Sequence, residues 1–191
     1  MPNHASRLLA VLLIAGILVS CSDKKDQTSS GGGTAASTSS STTSGGGAST
    51  LSKVALDAAA DFKCSGNWGD RDGVWGLKAY SGNGSCQVSF PGVAGTYRID
   101  VLVQTERDGS SPYRVSINGR TVASGSYPYA TGKLRCDCSL DDCPDENVYL
   151  GAGAHQLRTG DVIEFWGADD YPCGKDHGSY AKWHRMEFTP N

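Results

Sequence analysis

Apolar and polar side chains alternate with a period of two through the middle of the chain. In residues 95–104, apolar side chains recur at every second position: Tyr97, Ile99, Val101 and Val103. Residues 112–117 follow the same rule, and Asn118-Gly119 then supplies the two positive-φ positions of a type I′ hairpin turn. Period two is typical of strands with one face on a core, because a helix would spread these apolar residues around its surface. The pattern predicts an antiparallel meander of 95–104, 112–119 and 120–123 at the centre of an all-β domain.

Other short runs rich in β-branched and aromatic residues lie on both sides of this meander. The strands that they predict are 54–56, 74–80, 85–90, 147–150, 161–166 and 180–188. Turn residues separate the runs, and the sequence shows no convincing amphipathic helix. Many short strands with turns between them predict an antiparallel β-sandwich of the jelly-roll type.

The start of the chain has the pattern of an export signal. Arg7 precedes the apolar run 8–19, which is too short to cross a bilayer comfortably but fits the apolar region of a signal peptide. The run ends in Leu18-Val19-Ser20-Cys21, which resembles the bacterial lipobox. That resemblance implies a signal peptide over 1–20 and a lipid anchor on Cys21. The alternative is an ordinary signal peptide with an accidental cysteine.

Ser22, rather than an acidic residue, follows the cysteine. In this respect the chain resembles lipoproteins that are sent on to the outer membrane. We therefore expect a protein anchored by lipid in the bacterial outer membrane, facing the periplasm or the cell surface. Residues 21–50 form the linker, which from Gln27 onward is almost only Ser, Thr, Gly and Ala. Such a segment cannot bury enough apolar surface to order itself, so it predicts a flexible tether or a glycosylated stalk. As a random coil it would reach roughly 25–30 Å.

The remaining residues, 51–191, have the size of one domain. The chain carries a formal net charge of −3 and has no run of clustered Lys and Arg, so nucleic acid is not an expected partner. We expect a monomer. Six cysteines lie in this domain: Cys64, Cys86, Cys136, Cys138, Cys143 and Cys173. An even number in an exported chain indicates three disulfides, for which fifteen connectivities exist.

Cys64 and Cys86 flank the early strands and are the first predicted pair. Cys136 and Cys138 are too close along the chain to pair easily with each other. The four later cysteines are then expected to form two bridges that pin the acidic loop 135–146 to a later loop.

Three segments resemble a known family. Residues 95–101, 113–119 and 160–165 are similar, in this order, to motifs of jelly-roll (galactose-binding-like) carbohydrate-binding modules. The resemblance implies a jelly roll that binds a polysaccharide. Leu56-Asp57-Ala58 loosely matches the opening of these modules, which carry a structural calcium ion. The chain departs from them at Ala59 and His184, where the family places acids.

Sugars present flat C–H faces and rings of hydroxyls, so aromatic and acidic loop residues are the candidates for binding. The predicted carbohydrate-binding residues are Glu106, Arg107, Asp108, Trp166, Asp169, Asp170, Tyr171, Tyr180 and Trp183. They should meet where the loops after Val103, after Phe165 and before Trp183 share one rim. The alternative is that some of these aromatic rings fill the core, which is the favoured interpretation for Trp75.

Four of these residues also form a candidate calcium site, because calcium prefers oxygen ligands. They are Glu106, Asp108, Asp169 and Asp170. The simpler interpretation is a solvated acidic loop, and the same applies to the acids of 137–146. His177 and His184 do not have a zinc spacing, and cysteines in disulfides cannot bind metal.

Three functions compete at this stage. A tethered protein that binds a polysaccharide and has no catalysis of its own explains the aromatic residues, the polar loops and the leader together. A small secreted polysaccharide hydrolase or lyase would use a carboxylate pair at a suitable separation. A surface adhesion or protein-interaction domain predicts an exposed apolar patch instead.

Overall fold

The structure is a computed structural model that describes residues 50–175 and 177–191. The predicted signal peptide, the lipidated Cys21 and the linker up to residue 49 lie outside the described residues. Within the described ranges, no helix has the length and apolar character of a membrane span.

The described residues form strands and loops, without a helix. The strands are β1 (Val54–Asp57), β2 (Lys63–Ser65), β3 (Trp68–Arg71), β4 (Val74–Leu77), β5 (Asn83–Ser89), β6 (Gly95–Thr105), β7 (Pro112–Ile117), β8 (Arg120–Ser126), β9 (Glu146–Leu157), β10 (Val162–Ala168) and β11 (Trp183–Pro190). All their pairings are antiparallel.

The strands form two sheets. Sheet 1 has the order β3-β4-β11-β6-β9, with β1 also paired to β11, and sheet 2 has the order β2-β5-β10-β7-β8. Neighbours within each sheet are mostly distant along the chain, as in a jelly roll. The predicted all-β antiparallel sandwich is confirmed.

The core lies between the sheets and contains the side chains that the period-two pattern selects. Tyr97, Ile99, Val101 and Val103 of β6 are fully buried, and Phe165 of β10 faces them from sheet 2. Burying each large apolar side chain of this kind contributes about 1.5–3 kcal/mol. The alternation along β6 therefore both forms the strand and fixes which of its faces turns inward.

The predicted meander is wrong in one pairing. β6 pairs with β11 and β9 in sheet 1, whereas β7 pairs with β8 and β10 in sheet 2. The polar connection 106–111 crosses from one sheet to the other, and period two cannot distinguish a crossing from a hairpin. The β7–β8 hairpin is confirmed, with φ of 50° at Asn118 and 78° at Gly119.

Three disulfides join the six cysteines. Cys64–Cys86 is confirmed and links directly opposed residues of β2 and β5. Cys136–Cys173 ties the Cys-rich loop before β9 to the loop after β10, as expected. Cys138–Cys143 closes a small ring inside the first of these loops. The expectation that two bridges would join the loops is therefore wrong for this last pair, because the chain turns back within the acidic segment.

Candidate functional site

A polar cleft of about 330 Å³ opens where sheet 1 meets its connecting loops. The end of β3 contributes Arg71 to its wall, and the end of β6 with the following loop contributes Gln104 and residues 106–108. The Cys-rich loop contributes Leu140 and Asp145, and the segment before β11 contributes Tyr180 and Lys182. The side chains that line the cleft thus come from four separate parts of the chain.

A buried charge cluster forms the floor of the cleft. Lys182 Nζ lies 2.7 Å from Glu106 Oε1 and 3.2 Å from Asp145 Oδ2. Glu106 Oε2 accepts the backbone N–H of Tyr180 at 2.9 Å. Burial raises the pKa of Glu106, and Lys182 opposes that rise. Burial would lower the pKa of Lys182, but the two carboxylates outweigh this effect and raise it, so the ammonium stays charged.

Arg71 covers the aromatic ring that lines the cleft. Its guanidinium carbon lies 3.6 Å from the centroid of the Tyr180 ring. Tyr180 in turn meets Tyr171 edge to face, with centroids 5.9 Å apart. Two polar atoms in this wall, Arg71 Nε and Asp145 Oδ1, are buried without a hydrogen-bond partner. Such atoms are rare in native proteins, because leaving one unsatisfied costs about 1–3 kcal/mol.

Hydrogen bonds hold the loops around the cleft in place. Asp170 and Ser179 exchange two backbone hydrogen bonds, and the Asp170 carboxylate accepts the backbone N–H of Ser110 at 2.9 Å. Arg107 Nε donates to the carbonyl of Cys138 at 2.6 Å, which joins the loop after β6 to the Cys-rich loop. The side chain of Arg107 is therefore partly committed to loop structure.

The structure brings four of the nine predicted binding residues to this cleft: Glu106, Arg107, Asp108 and Tyr180. Tyr171 packs directly beside them, against Tyr180. Asp169 and Asp170 accept hydrogen bonds from the backbone N–H groups of Gly82 and Ser110, respectively, and so hold neighbouring loops together.

The two predicted tryptophans lie elsewhere. Trp183 begins β11 opposite Val103 and is 0 % exposed, with its ring 4.5 Å from that of Phe165. It is a core residue and cannot stack on a sugar, so its prediction as a binding residue is wrong. Trp166 lies on the outer face of sheet 2, where the guanidinium of Arg114 lies 4.9 Å from its ring. The strands that carry the two tryptophans, β10 and β11, belong to opposite sheets.

The four predicted calcium ligands do not converge. Glu106 pairs with Lys182, and Asp108 Oδ2 lies 3.6 Å from His177 Nδ1. Asp169 and Asp170 accept hydrogen bonds from backbone N–H groups. No group of three or more His, Cys, Asp or Glu residues in the described ranges could hold a metal ion. At the start of the domain, Asp57 accepts the backbone N–H groups of Ala59 and Ala60. These carboxylates thus have partners within the protein and do not fit a shared calcium ion.

The sequence did not single out Arg71 or Lys182, and it counted Asp145 among the solvated acids. Lys182 lies in a segment of aromatic and apolar residues, and a single charge there is a signal for a buried ion pair. Nothing in the sequence indicates that Arg71, more than one hundred residues earlier, reaches the same place.

A second depression, of about 440 Å³, lies on sheet 2 around Lys63, Gln87 and Val162. Its charged members, Asp61 and Lys63, are exposed, and none of the described residues that line it is aromatic. The chemistry therefore concentrates in the smaller cleft. Fold and cleft together define a small disulfide-bonded β-sandwich domain with a polar cleft.

Solved structures of similar fold include carbohydrate-binding modules. A family 35 module from Clostridium thermocellum is 14% identical, and the match covers 73% of this chain and 99% of that chain at a TM-score of 0.46. A family 35 module from Cellvibrio japonicus is 12% identical over 73% of this chain and 94% of that chain, at 0.48. An insecticidal crystal protein is 14% identical over 72% of this chain and 21% of that chain, at 0.49. No family model and no curated protein matches the chain.

Proposed function

We propose that the domain binds a neutral carbohydrate in the polar cleft. The observation that carries this proposal is the cleft lining, in which donor side chains such as Arg71 and Arg107 and acceptor side chains such as Asp108 and Asp145 surround one depression beside Tyr180. A sugar hydroxyl accepts one hydrogen bond and donates another, so neighbouring hydroxyls of one ring suit a wall that offers both kinds of group. A purely apolar ligand would form no hydrogen bond with these side chains.

The charges of the cleft favour an uncharged ligand. Its wall carries three cationic side chains, on Arg71, Arg107 and Lys182, and four carboxylates, on Asp72, Glu106, Asp108 and Asp145. Lys182 is neutralised by its two acidic partners, and over the whole lining four carboxylates outnumber three cations, which disfavours a phosphate or a polyuronate. Charged side chains of both signs still form strong hydrogen bonds to neutral hydroxyls.

The geometry favours binding over catalysis. A carboxylate pair that cleaves a glycosidic bond needs a group that can give or take a proton at the reacting oxygen. Both oxygens of Glu106 are already occupied, one by Lys182 and one by the backbone N–H of Tyr180. Asp145 shares the same lysine. The buried acids therefore act as fixed hydrogen-bonding walls.

The test is a binding assay of the purified protein on a glycan panel. The neutral panel holds hexasaccharides of glucan, mannan, xylan and galactan, and the uronate panel holds pectic and alginate oligomers of the same length. Open, wet sites bind weakly, so we expect dissociation constants between about 1 mM and 1 μM. Binding to a neutral hexasaccharide supports the proposal. Binding to the uronate panel alone, or to neither panel, contradicts it.

We further propose that a lipid on Cys21 holds the domain at the outer membrane, with residues 21–50 as tether. The supporting observation is the lipobox-like sequence 18–21 followed by Ser22. The change Cys21→Ser should release the processed protein from the membrane fraction, because it removes the site of lipid attachment. The melting temperature of the released domain should be unchanged. Retention of the processed variant in the membrane fraction contradicts this proposal.

A further inference from the structure

Beside the cleft, three tyrosine rings form a continuous row. Tyr180 lines the cleft, Tyr171 meets it edge to face, and Tyr80 stacks on Tyr171 with centroids 4.7 Å apart and planes 22° apart. Tyr80 is the outermost of the three and is 53 % exposed. The row leads from the hydrogen-bonding cleft out to an exposed aromatic ring.

Among the described residues that line the cleft, Tyr180 is the only aromatic one. Arg71 covers the Tyr180 ring, and the two predicted tryptophans lie in the core and on the other sheet. The next aromatic rings along the row are the half-buried Tyr171 and the exposed Tyr80, which stack on each other. A sugar bound in the cleft would therefore be held by polar groups, and a stacking contact would fall on the next unit of a chain.

The surrounding structure holds Tyr80 in place. The backbone N–H of Tyr80 donates a hydrogen bond to the Tyr171 hydroxyl at 2.7 Å. Two hydrogen bonds between Gly82 and Asp169 fix the same loop to the end of β10. Tyr80 also adopts a φ of 59°, which is unfavourable for an aromatic residue and persists only where the surroundings impose it. Burial raises the pKa of Tyr171 to about 12, so its hydroxyl stays neutral.

Gly178 allows the row to reach the cleft. It lines the cleft, and a β-carbon there would collide with the Tyr171 ring. The absence of a side chain at Gly178 therefore lets the Tyr171 ring pack against the cleft wall.

We infer that Tyr80 and Tyr171 form a second subsite that stacks on the neighbouring unit of a neutral oligosaccharide, so that the protein recognises a chain rather than a single sugar. This inference rests on the proposed function. The subsite supplies apolar contact and the cleft supplies hydrogen bonds. An oligosaccharide that occupies both should bind more tightly than its own monosaccharide.

The experiment is calorimetric titration of the purified protein with size series of glucan, mannan, xylan and galactan, from monosaccharide to hexasaccharide. For a series that binds, affinity should rise with length and then level off. Tyr80→Asn removes the ring but keeps a residue that tolerates positive φ. It should weaken hexasaccharide binding by about three- to tenfold, the range of one aromatic contact, and leave monosaccharide binding unchanged.

Two controls separate the subsite from general effects. Tyr80→Phe keeps the ring and should bind like the wild type. Tyr149→Asn removes another tyrosine, 52 % exposed on sheet 1 and outside the cleft lining, and should have no effect. Three results would overturn the inference while the proposed function stands. The wild type could bind short and long oligomers with equal affinity, Tyr80→Asn could bind the hexasaccharide as tightly as the wild type, or Tyr80→Asn could lose affinity equally at all lengths. If no series binds, the proposed function fails with it.

Discussion

Lys182 and Glu106 form an ion pair of 2.7 Å in which both side chains are at least nine-tenths buried. Asp145 approaches the same ammonium at 3.2 Å, so one lysine balances two carboxylates at the floor of the cleft. Removing the lysine would leave both acids buried without a counter-charge. The pair therefore contributes both to the stability of the domain and to the position of the side chains that form the floor of the cleft.

We predict that Lys182→Met destabilises the domain by about 3–5 kcal/mol, because breaking a buried pair leaves an uncompensated charge. The measurement is urea unfolding at neutral pH. The double variant Lys182→Met/Glu106→Gln should recover part of the loss, since it removes one of the stranded charges.

The matched control is Lys53→Met. Lys53 pairs with Glu187 at the same 2.7 Å distance, but its side chain is 54% exposed. Glu187 is itself largely buried, but it keeps Arg185 and the Tyr149 hydroxyl as partners when the solvent-facing Lys53 is lost, so this variant should lose only about 0–1 kcal/mol. Equal losses in Lys53→Met and Lys182→Met would show that burial of the central pair has no special role.

The cleft also depends on a covalent link between its loops. Cys136–Cys173 spans 37 residues, whereas Cys138–Cys143 spans 5. From loop length alone, losing the first bridge should cost about 4 kcal/mol and losing the second about 2 kcal/mol. We predict that Cys136→Ser/Cys173→Ser also weakens glycan binding more than Cys138→Ser/Cys143→Ser does.

The measurements are urea unfolding and titration with the neutral hexasaccharides, for both double variants. The sandwich should remain folded in each, because neither bridge lies in the core between the sheets. If the two variants lose affinity equally, the loop-to-loop bridge does not organise the cleft.

The outer face of sheet 1 predicts a pH dependence. Glu187 accepts hydrogen bonds from Arg185 at 2.6 Å and from the Tyr149 hydroxyl at 3.0 Å, and it pairs with Lys53. Hydrogen bonds from Lys53 and Arg185 lower its pKa from 4.5 to about 2. The carboxylate therefore stabilises the fold above pH 4.5, and this contribution is lost as pH falls towards 2.

Between pH 4.5 and pH 2, the free energy of unfolding should fall less in Glu187→Gln than in the wild type. We predict a difference of about 1–2 kcal/mol after allowance for solvent screening. At neutral pH the variant should be less stable than the wild type, and near pH 2 the two should be alike. An unchanged slope across the acid range would contradict the assignment of this pKa to Glu187.

The sequence predicted the sandwich well because its signal is local. The alternation at Tyr97, Ile99, Val101 and Val103 determines both the strand and its buried face, and Asn118-Gly119 determines a hairpin. Strand partners are not local. Whether residues 106–111 turn back or cross to the other sheet depends on the whole core, so the meander was mispaired at that point.

The candidate site was predicted only in part, for the same reason. Glu106 and Tyr180 were recognised as polar and aromatic loop residues, and they do meet. Trp183 looks identical in sequence to a binding tryptophan, and only its position opposite Val103 places it in the core. Arg71 and Asp145 are brought to the cleft by the end of β3 and by the Cys-rich loop, which no spacing in the sequence reveals.

The most direct test of the cleft as the carbohydrate site compares two arginines that each lie over an aromatic ring. Arg71 lies over Tyr180 in the cleft, and Arg114 lies over Trp166 on the outer face of sheet 2. The measurement is calorimetric titration of Arg71→Gln and Arg114→Gln with the neutral hexasaccharides. Loss of a charged hydrogen-bond donor to the sugar should weaken binding by Arg71→Gln about tenfold or more, while Arg114→Gln stays within about twofold of the wild type. Full affinity in Arg71→Gln together with a loss in Arg114→Gln would contradict the account and move the site to sheet 2.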